Sequence, residues 1–269
     1  MSRTAPDRRT WRPRTATDGV YYAVARSEEV LRALPVAAAD RAAASGLPPW
    51  RAAEHTASRT LLRALLRETG EGLTDELGEA FAGGLGRGFA AGLGGGLTDE
   101  AAGGSSGVDF PGVDLPGVDF PGGPVAARPG GRPYLPGRPD LGVSLSHSAG
   151  WVAAAVGRNR DVGVDVQVPA AVGDRLLRFC CAPADADALT VMAEDRRRRE
   201  FAWIFTAQEA CVKAVGAGFA ARPWTVPVAL GQRAGTWEGV RWSAPRERQP
   251  VPVACAWTER AGPAGTRVA

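Results

Sequence analysis

The sequence predicts a mixed α/β protein, because strand-like and helix-like periodicities occur in both parts of the chain. Valines alternate strictly with other residues from 162 to 168, which is typical of a strand with one apolar face. Residues 51–67 and 200–215 instead repeat their apolar side chains at helical spacing. With 269 residues and 45% hydrophobic content, the chain can build one large core or two small ones.

The first part of the chain contains a predicted strand and a predicted helix. Residues 21–24 are aromatic and apolar, as expected of an opening strand. In the helix at 51–67, four leucines form a core stripe, while Arg59 and two further arginines lie on another side. This helix therefore has a buried face and a cationic face.

Residues 71–131 are rich in glycine and proline, and a Val-Asp-Phe/Leu-Pro-Gly unit occurs three times between 108 and 122. Prolines this frequent exclude a helix or a central strand, and the glycines raise the entropy lost on ordering. We therefore predict a disordered insertion. A glycine-rich phosphate cradle is the alternative, but no Gly-Lys-Ser/Thr sequence accompanies it.

A strand is also predicted at 143–148, where serines occupy one face and the segment ends in Ser146-His147-Ser148. A histidine flanked by serines at a strand end is well placed to donate to an anionic oxygen. A purely structural histidine remains the alternative.

Two further strands are predicted at 151–156 and 162–168, joined by a hairpin loop at 157–161. Asp165 and Gln167 project side by side from the polar face of the second strand. A half-buried strand with a solvated polar face is the simpler interpretation, and this pair alone does not exclude it.

The predicted helix 200–215 places Thr206, Glu209 and Lys213 on one stripe, while apolar side chains cover most of its remaining surface. Lys213 is the only lysine, beside 31 arginines. A lysine in such a chain suggests a role that arginine fills badly, such as a point charge on a phosphate oxygen. Burying a carboxylate and an ammonium is costly unless they are paired, bound to metal or bound to ligand.

Composition favours a cytoplasmic enzyme without selecting one. The amino terminus is charged and lacks a secretory h-region, and no apolar run reaches membrane-spanning length. The four cysteines lack paired zinc spacing, so we expect reduced thiols. The net charge of +3 suits an acidic partner but is too small to argue for binding to nucleic acid. The run Arg196–Arg199 is bracketed by acidic residues, and we interpret it as a solvated helical turn.

Taken in order, these segments resemble the Sfp-type 4′-phosphopantetheinyl transferases. That family carries a Gly-Lys-Pro-type segment, then Ser-His-Ser, then Gly-(Val/Ile)-Asp-(Val/Ile)-Glu, then a Trp-(Thr/Ser)-x-Lys-Glu-(Ala/Ser)-x-x-Lys-x-x-Gly-x-Gly helix. The corresponding segments here are Arg132-Pro133, Ser146-His147-Ser148, Gly163-Val-Asp-Val-Gln167, and 205–213 followed by Gly216 and Gly218. The resemblance covers about 50–70 and 131–260, and four motifs in the right order are fairly specific.

The resemblance implies a pseudo-twofold pair of similar α/β halves, at 1–160 with the insertion and at 161–269, which bind coenzyme A and Mg²⁺ between them. It implies an enzyme that moves phosphopantetheine from coenzyme A to a serine of an acidic acyl or peptidyl carrier protein, releasing adenosine 3′,5′-bisphosphate. Positioning and charge neutralisation should dominate catalysis of such a phosphoryl transfer. Like typical family members, the protein is expected to be a monomer.

The resemblance also assigns roles to individual residues. Asp165, Gln167 and Glu209 would be the Mg²⁺ ligands, and Lys213 would reach the phosphate that becomes the phosphopantetheine ester. His147 would bind the 3′-phosphate of coenzyme A. The remaining contacts to coenzyme A are expected from Arg59, Arg132 and Ser146.

The chain departs from the family pattern at several of these positions. Gln167 replaces a glutamate, Gln208 replaces the lysine before Glu209, and Arg132 replaces a lysine. An aligned acid near 184 is also missing unless Asp185 or Asp187 serves. The general base is therefore left open between Glu209 and a water on the metal.

These departures favour one rival: a non-catalytic coenzyme A or carrier-protein binder of the same fold. A Mg²⁺-dependent phosphatase or pyrophosphatase would share the Asp-Glu-Lys chemistry, but it does not account for the Ser-His-Ser strand or the motif order.

Overall fold

The computed structural model describes residues 11–70, 124–216, 222–246 and 249–260. Two four-stranded antiparallel sheets and two long helices dominate this part of the chain. In chain order the elements are β1 Arg14–Thr17, β2 Val20–Arg26, α1 Ser27–Ala33, α2 Ala38–Ala43, α3 Pro49–Glu68, β3 Ala126–Ala127, β4 Pro133–Tyr134, β5 Leu141–Ser148, β6 Trp151–Arg158, β7 Arg160–Val166, α4 Asp174–Cys180, α5 Pro183–Thr190, α6 Glu194–Val215, a 3₁₀ turn Pro223–Thr225, β8 Ala234–Trp237, β9 Val240–Ser243 and β10 Val253–Glu259.

The two sheets share an arrangement of three strands and differ in the position of the fourth, since β1 lies beside β2 whereas β8 lies beside β9. The first has the order β1-β2-β6-β5 and the second has the order β7-β10-β9-β8. In each half a strand (β2 or β7) leads to a long helix (α3 or α6) and then to an antiparallel pair (β5-β6 or β9-β10), whose last strand pairs with the first. The predicted α/β class with two similar halves is therefore confirmed.

The predicted boundary between the halves, at 160/161, falls where β7 begins at Arg160. The predicted insertion at about 71–131 falls mainly on 71–123, outside the described residues. Its last residues differ from the prediction, because Ala126–Ala127 pair with Pro133–Tyr134. No helix among the described ranges combines the length and apolarity needed to cross a membrane.

Helix α3 forms the core of the first half. Pro49 opens it at the first helical position, where a missing N–H costs nothing. The four predicted leucines, Leu61, Leu62, Leu65 and Leu66, are essentially inaccessible and pack with strands β2, β5 and β6.

Helix α6 lies unusually close to β7. A Cβ at Gly163 would come within 2.0 Å of the carbonyl oxygen of Ala210, so only glycine permits this approach. The helix ends at Gly216, whose φ of 77° is typical of a glycine cap. The close packing brings the side chains of β7 and α6 to one edge of the second sheet.

The two sheets share a buried apolar cluster, and serine side chains link their facing edges, which the sequence did not reveal. Strands β5 and β7 are the edge strands that face each other. Ser144 Oγ accepts the N–H of Val164 at 3.0 Å, and Ser148 Oγ accepts the N–H of Val168 at 3.0 Å. Ser146 Oγ accepts the next amide between them at 3.3 Å. The serine hydroxyls of β5 thus accept N–H groups along the edge of β7, which in a continuous sheet would bind the carbonyl oxygens of a neighbouring strand.

We predict that Ser144→Ala lowers the free energy of unfolding by about 1–3 kcal/mol, because it leaves the fully buried Val164 N–H without its acceptor. Urea unfolding of both proteins measures the loss. Ser45→Ala is the matched control, since that hydroxyl is exposed and its removal should cost less than about 0.5 kcal/mol. Equal effects of the two substitutions would contradict the role assigned to Ser144.

Candidate active site

A cavity of about 410 Å³ opens where the two halves meet. Strand β5, the loop before β4, strand β7 and helix α6 line it. Six of the site residues predicted from the sequence line this cavity: Arg132, Ser146, His147, Asp165, Glu209 and Lys213.

Lys213 makes the closest charged contact in this cavity. Its Nζ lies 2.6 Å from Oδ1 of Asp165 and donates to the carbonyl oxygen of Val164 at 3.1 Å. The ammonium therefore sits between the end of α6 and strand β7. Because the Lys213 side chain is still 29% exposed, it can also meet an anion in the cavity.

Asp165 is buried, with 7% of its surface exposed, and is oriented by a second partner. Ser146 Oγ donates to Oδ1 of Asp165 at 2.8 Å while accepting the N–H of Val166. The hydroxyl is thus committed in both directions. Ser146, expected from the resemblance to contact coenzyme A, positions the carboxylate in this structure.

Glu209 is the second carboxylate on the cavity. Burial raises its pKa, the negative charge of Asp165 raises it further, and Lys213 lowers it. One ammonium thus stands beside two carboxylates in a partly desolvated place. A cation bound there would relieve the remaining repulsion.

These residues fit Mg²⁺, which uses one or two protein carboxylates together with phosphate oxygens and waters. No group of three or more His, Cys, Asp or Glu side chains with metal-binding arrangement occurs in the described ranges. Asp165 and Glu209 could hold the ion only together with oxygens from a bound substrate or water. This donor set disfavours a zinc site made wholly of protein ligands.

The two glutamines that depart from the family pattern occupy different environments. Gln167 follows β7, its Nε2 donates to the carbonyl of Val168 at 3.1 Å, and it does not line the cavity. Its assignment as a metal ligand stays a prediction. Gln208 is 1% exposed and faces the core, where it donates to the carbonyls of Cys180 and Val226 at 2.7 and 3.1 Å. Gln208 therefore does not contact a phosphate in the cavity.

His147 has a partner that the sequence analysis missed. Its Nδ1 lies 3.0 Å from Oε2 of Glu54 on α3, and Oε1 of Glu54 accepts the N–H of Gly150 at 2.7 Å. Glu54 thereby fixes the imidazole ring and the turn after β5. The His147 side chain is 45% exposed and lines the cavity. The available signal was that Glu54 is the one acidic residue of the helix predicted at 51–67.

The two predicted arginines lie apart. Arg132 lines the cavity, pairs with Asp161 at 2.8 Å and donates to the carbonyl of Ala214 at 3.3 Å, near the end of α6. Arg59 does not line the cavity, and its Nη1 donates to the carbonyl of His55 at 3.5 Å. Of the two, only Arg132 is brought to the site.

The acids considered for the missing position near 184 also lie elsewhere. Neither Asp185 nor Asp187 lines the cavity. The Asp187 side chain is 75% exposed and lies 3.9 Å from Arg178. Gly218, in the predicted glycine motif after the helix, falls outside the described residues.

We predict that Glu209→Gln stabilises the metal-free protein at about pH 8. The pKa of Glu209 is higher in the folded protein than in the unfolded chain, so folding favours the protonated carboxyl. The stabilisation that results is complete below the unfolded pKa and is lost as the pH rises through the folded pKa. Glutamine has no proton to lose. Urea unfolding in EDTA should therefore show a variant advantage that grows from about pH 4 to about pH 8.

The exposed Glu28 supplies the control for this experiment, because Glu28→Gln makes the same change on an exposed side chain and should shift stability little. A constant difference between wild type and Glu209→Gln across the pH range would contradict the assignment.

Comparison with known proteins shows that the segment carrying most of these residues matches a family model. The model of the 4′-phosphopantetheinyl transferase superfamily matches residues 161–238, the segment that carries Asp165, Glu209 and Lys213. A 4′-phosphopantetheinyl transferase of Bacillus subtilis is 29% identical over 90 residues, which cover 33% of this chain. The match spans 39% of that relative's length. The second half of the chain is thus similar to this superfamily.

Proposed function

We propose that the protein is an Sfp-type 4′-phosphopantetheinyl transferase, which moves phosphopantetheine from coenzyme A to a serine of an acyl or peptidyl carrier protein. The observation that carries the proposal is the convergence of Asp165, Glu209 and Lys213 on one cavity, inside the matched segment. Two halves that share a three-strand sheet arrangement and one long helix each, within a single chain, support the Sfp-type arrangement.

In the reaction, the serine oxygen attacks the phosphorus that bears pantetheine. A new P–O bond forms, the pyrophosphate P–O bond breaks, and adenosine 3′,5′-bisphosphate leaves. Bound Mg²⁺ would supply charge neutralisation of the pyrophosphate. Asp165 and Glu209 would hold that ion.

The other cavity residues bind and orient the substrate. Lys213 would place its ammonium on the transferred phosphate, where a compact charge suits a single oxygen. The exposed face of His147, held by Glu54, would bind the 3′-phosphate, and Arg132 would add positive charge beside it. Glu209 lines the same cavity and is the candidate base for the serine proton.

Intact-mass analysis of an apo carrier protein, after incubation with this protein, coenzyme A and Mg²⁺, tests the proposal. We expect a gain of one phosphopantetheine that EDTA abolishes. The rival function, a coenzyme A or carrier-protein binder, is favoured by the neutral Gln167 outside the cavity. Bound coenzyme A without a mass gain on several carriers would establish that rival.

A further inference from the structure

A second cavity of about 410 Å³ adjoins the candidate active site at Arg132. Arg132, Pro133 and Val143 line both cavities. We call the second one the Arg128 cavity, and its charged lining side chains are Arg128, Arg132, Arg138, Asp161 and Arg260. Because arginine outnumbers acid in this lining, the cavity attracts anions.

The hairpin of β3 and β4 holds two of these arginines at the ends of one turn. The N–H of Arg128 donates to the carbonyl oxygen of Arg132 at 2.8 Å, and the N–H of Gly131 donates to the carbonyl oxygen of Arg128 at 2.9 Å. Gly130 and Gly131 have φ values of 95° and 86°, which favour glycine. The turn therefore fixes the backbone positions from which Arg128 and Arg132 extend.

Asp161 brings a third arginine to the same wall. Its Oδ1 lies 2.8 Å from Nη2 of Arg132 and accepts from Nε of Arg260 at 2.9 Å. One carboxylate oxygen thus holds two guanidinium groups close together and neutralises only one of their two charges. The three side chains are 23%, 28% and 29% exposed, so water screens the remaining charge only in part.

The other two arginines of the lining differ in what they offer a ligand. Arg138 is buried and donates to both carboxylate oxygens of Asp140, at 2.9 and 2.7 Å, so this pair is neutral. Arg128 is exposed, and its guanidinium carbon lies 4.8 Å from the centre of the Tyr134 ring. Stacking engages the face of a guanidinium and leaves its in-plane N–H groups as donors. Arg128 is therefore well placed to meet a ligand.

The charge of the Arg128 cavity fits a phosphate group. Apart from the neutral Arg138 pair, three arginines face the single carboxylate of Asp161, which leaves an excess of two positive charges. A phosphate group carries about two negative charges at pH 7, and its several oxygens suit guanidinium forks, whereas a carboxylate carries one charge. Pro133, Pro136 and Pro139 also line the cavity, and their locked φ angles make this wall preformed.

We propose that the Arg128 cavity is a second anion site, which binds a phosphate group through Arg128, Arg132 and Arg260. Two sources share this chemistry: a free inorganic anion, and a phosphate of a larger ligand that occupies the neighbouring cavity and extends past Arg132. Binding here needs neither Glu209 nor Lys213, so it is expected even if the proposed transfer reaction fails.

The test is a calorimetric titration of the protein with inorganic pyrophosphate in EDTA. Arg128→Gln and Arg260→Gln each remove one guanidinium of the site. Arg199→Gln and Arg246→Gln are the matched controls outside the cavity, because Arg199 is exposed like Arg128, and Arg246 is half-buried and ion-paired like Arg260. Lys213→Gln separates the two cavities, since it removes the ammonium of the candidate active site alone.

We expect Arg128→Gln and Arg260→Gln each to raise the Kd for pyrophosphate by about tenfold or more, because each loses a charge-assisted hydrogen bond to the anion. The two controls should keep the Kd within about twofold of wild type, and Lys213→Gln should retain the binding that depends on Arg128. Urea midpoints check folding, and Arg128→Gln should leave the midpoint unchanged because its side chain is exposed.

Three results would overturn the second anion site. They are a wild type that binds no pyrophosphate at millimolar concentration, an equal loss of affinity in the arginine controls, and a Kd that neither Arg128→Gln nor Arg260→Gln changes.

A further titration, with coenzyme A already bound, distinguishes the two sources of phosphate. If the binding that depends on Arg128 persists, the site takes a free anion. If coenzyme A blocks it and Arg128→Gln also weakens coenzyme A binding, the phosphate belongs to coenzyme A. A failure of coenzyme A to bind would count against the proposed function, and the titration with pyrophosphate alone would still decide on the second site.

Discussion

Replacing Asp165 with asparagine is expected to lower Mg²⁺-dependent transfer by about 10²–10³-fold, the range seen when one electrostatic group is removed from a preorganised site. Asparagine matches aspartate in shape, and its amide oxygen can still accept from Ser146 and Lys213. The substitution therefore removes the charge while the contacts that join β5, β7 and α6 can persist. The rate of transfer is measured as the increase in mass of the carrier protein over time.

Asp174→Asn is the matched control for this substitution. Asp174 is an exposed carboxylate in the first turn of α4, so its loss of charge should leave the rate within about twofold of wild type. Transfer by Asp165→Asn within tenfold of wild type would show that the buried carboxylate is not needed for catalysis. Carrier binding that persists in the inactive variant would separate docking from chemistry.

Replacing Lys213 with arginine is expected to lower transfer by about a hundredfold, although the positive charge is kept. The ammonium occupies a short space between Asp165 Oδ1 and the carbonyl of Val164, at 2.6 and 3.1 Å. A planar guanidinium is longer and needs a forked acceptor, so it must shift away from this pair. The reacting phosphate would then lose its point-charge partner.

The control for Lys213→Arg is the reverse exchange on the same helix, Arg199→Lys, at an exposed position outside the cavity. It should leave the rate unchanged. Full activity of Lys213→Arg would mean that any cation suffices at this position, and the geometry of the ammonium would then not account for a lysine in an arginine-rich chain.

Periodicity and motif order predicted much of this fold. The helix predicted at 200–215 is the second part of α6, which starts earlier and includes Arg196–Arg199, where Arg196 and Arg199 are exposed and Arg197 and Arg198 are half-buried. The helix predicted at 51–67 is α3. The strand predicted at 162–168 is β7, which lies two residues earlier, at Arg160–Val166, because β6 continues to Arg158 and the predicted loop at 157–161 is a tight turn. The cysteines are free, as expected. These features depend on local spacing, which the sequence records directly.

Features that depend on how distant segments meet were not predictable from one sequence. The serines of β5 look like a polar strand face until β7 lies beside them, where they bind its amides. Gln208 matches a phosphate-binding position by motif, yet the helix turns it into the core. The partner of His147 is Glu54, which is separated from it by the whole predicted insertion.

The most direct test of the central claim is the amount of adenosine 3′,5′-bisphosphate released from coenzyme A, with and without apo carrier protein, in the presence of Mg²⁺. A transferase should release one bisphosphate for each carrier serine modified, and almost none when the carrier is absent or its serine is changed to alanine. Bisphosphate released without any acceptor would identify a pyrophosphatase and contradict this account.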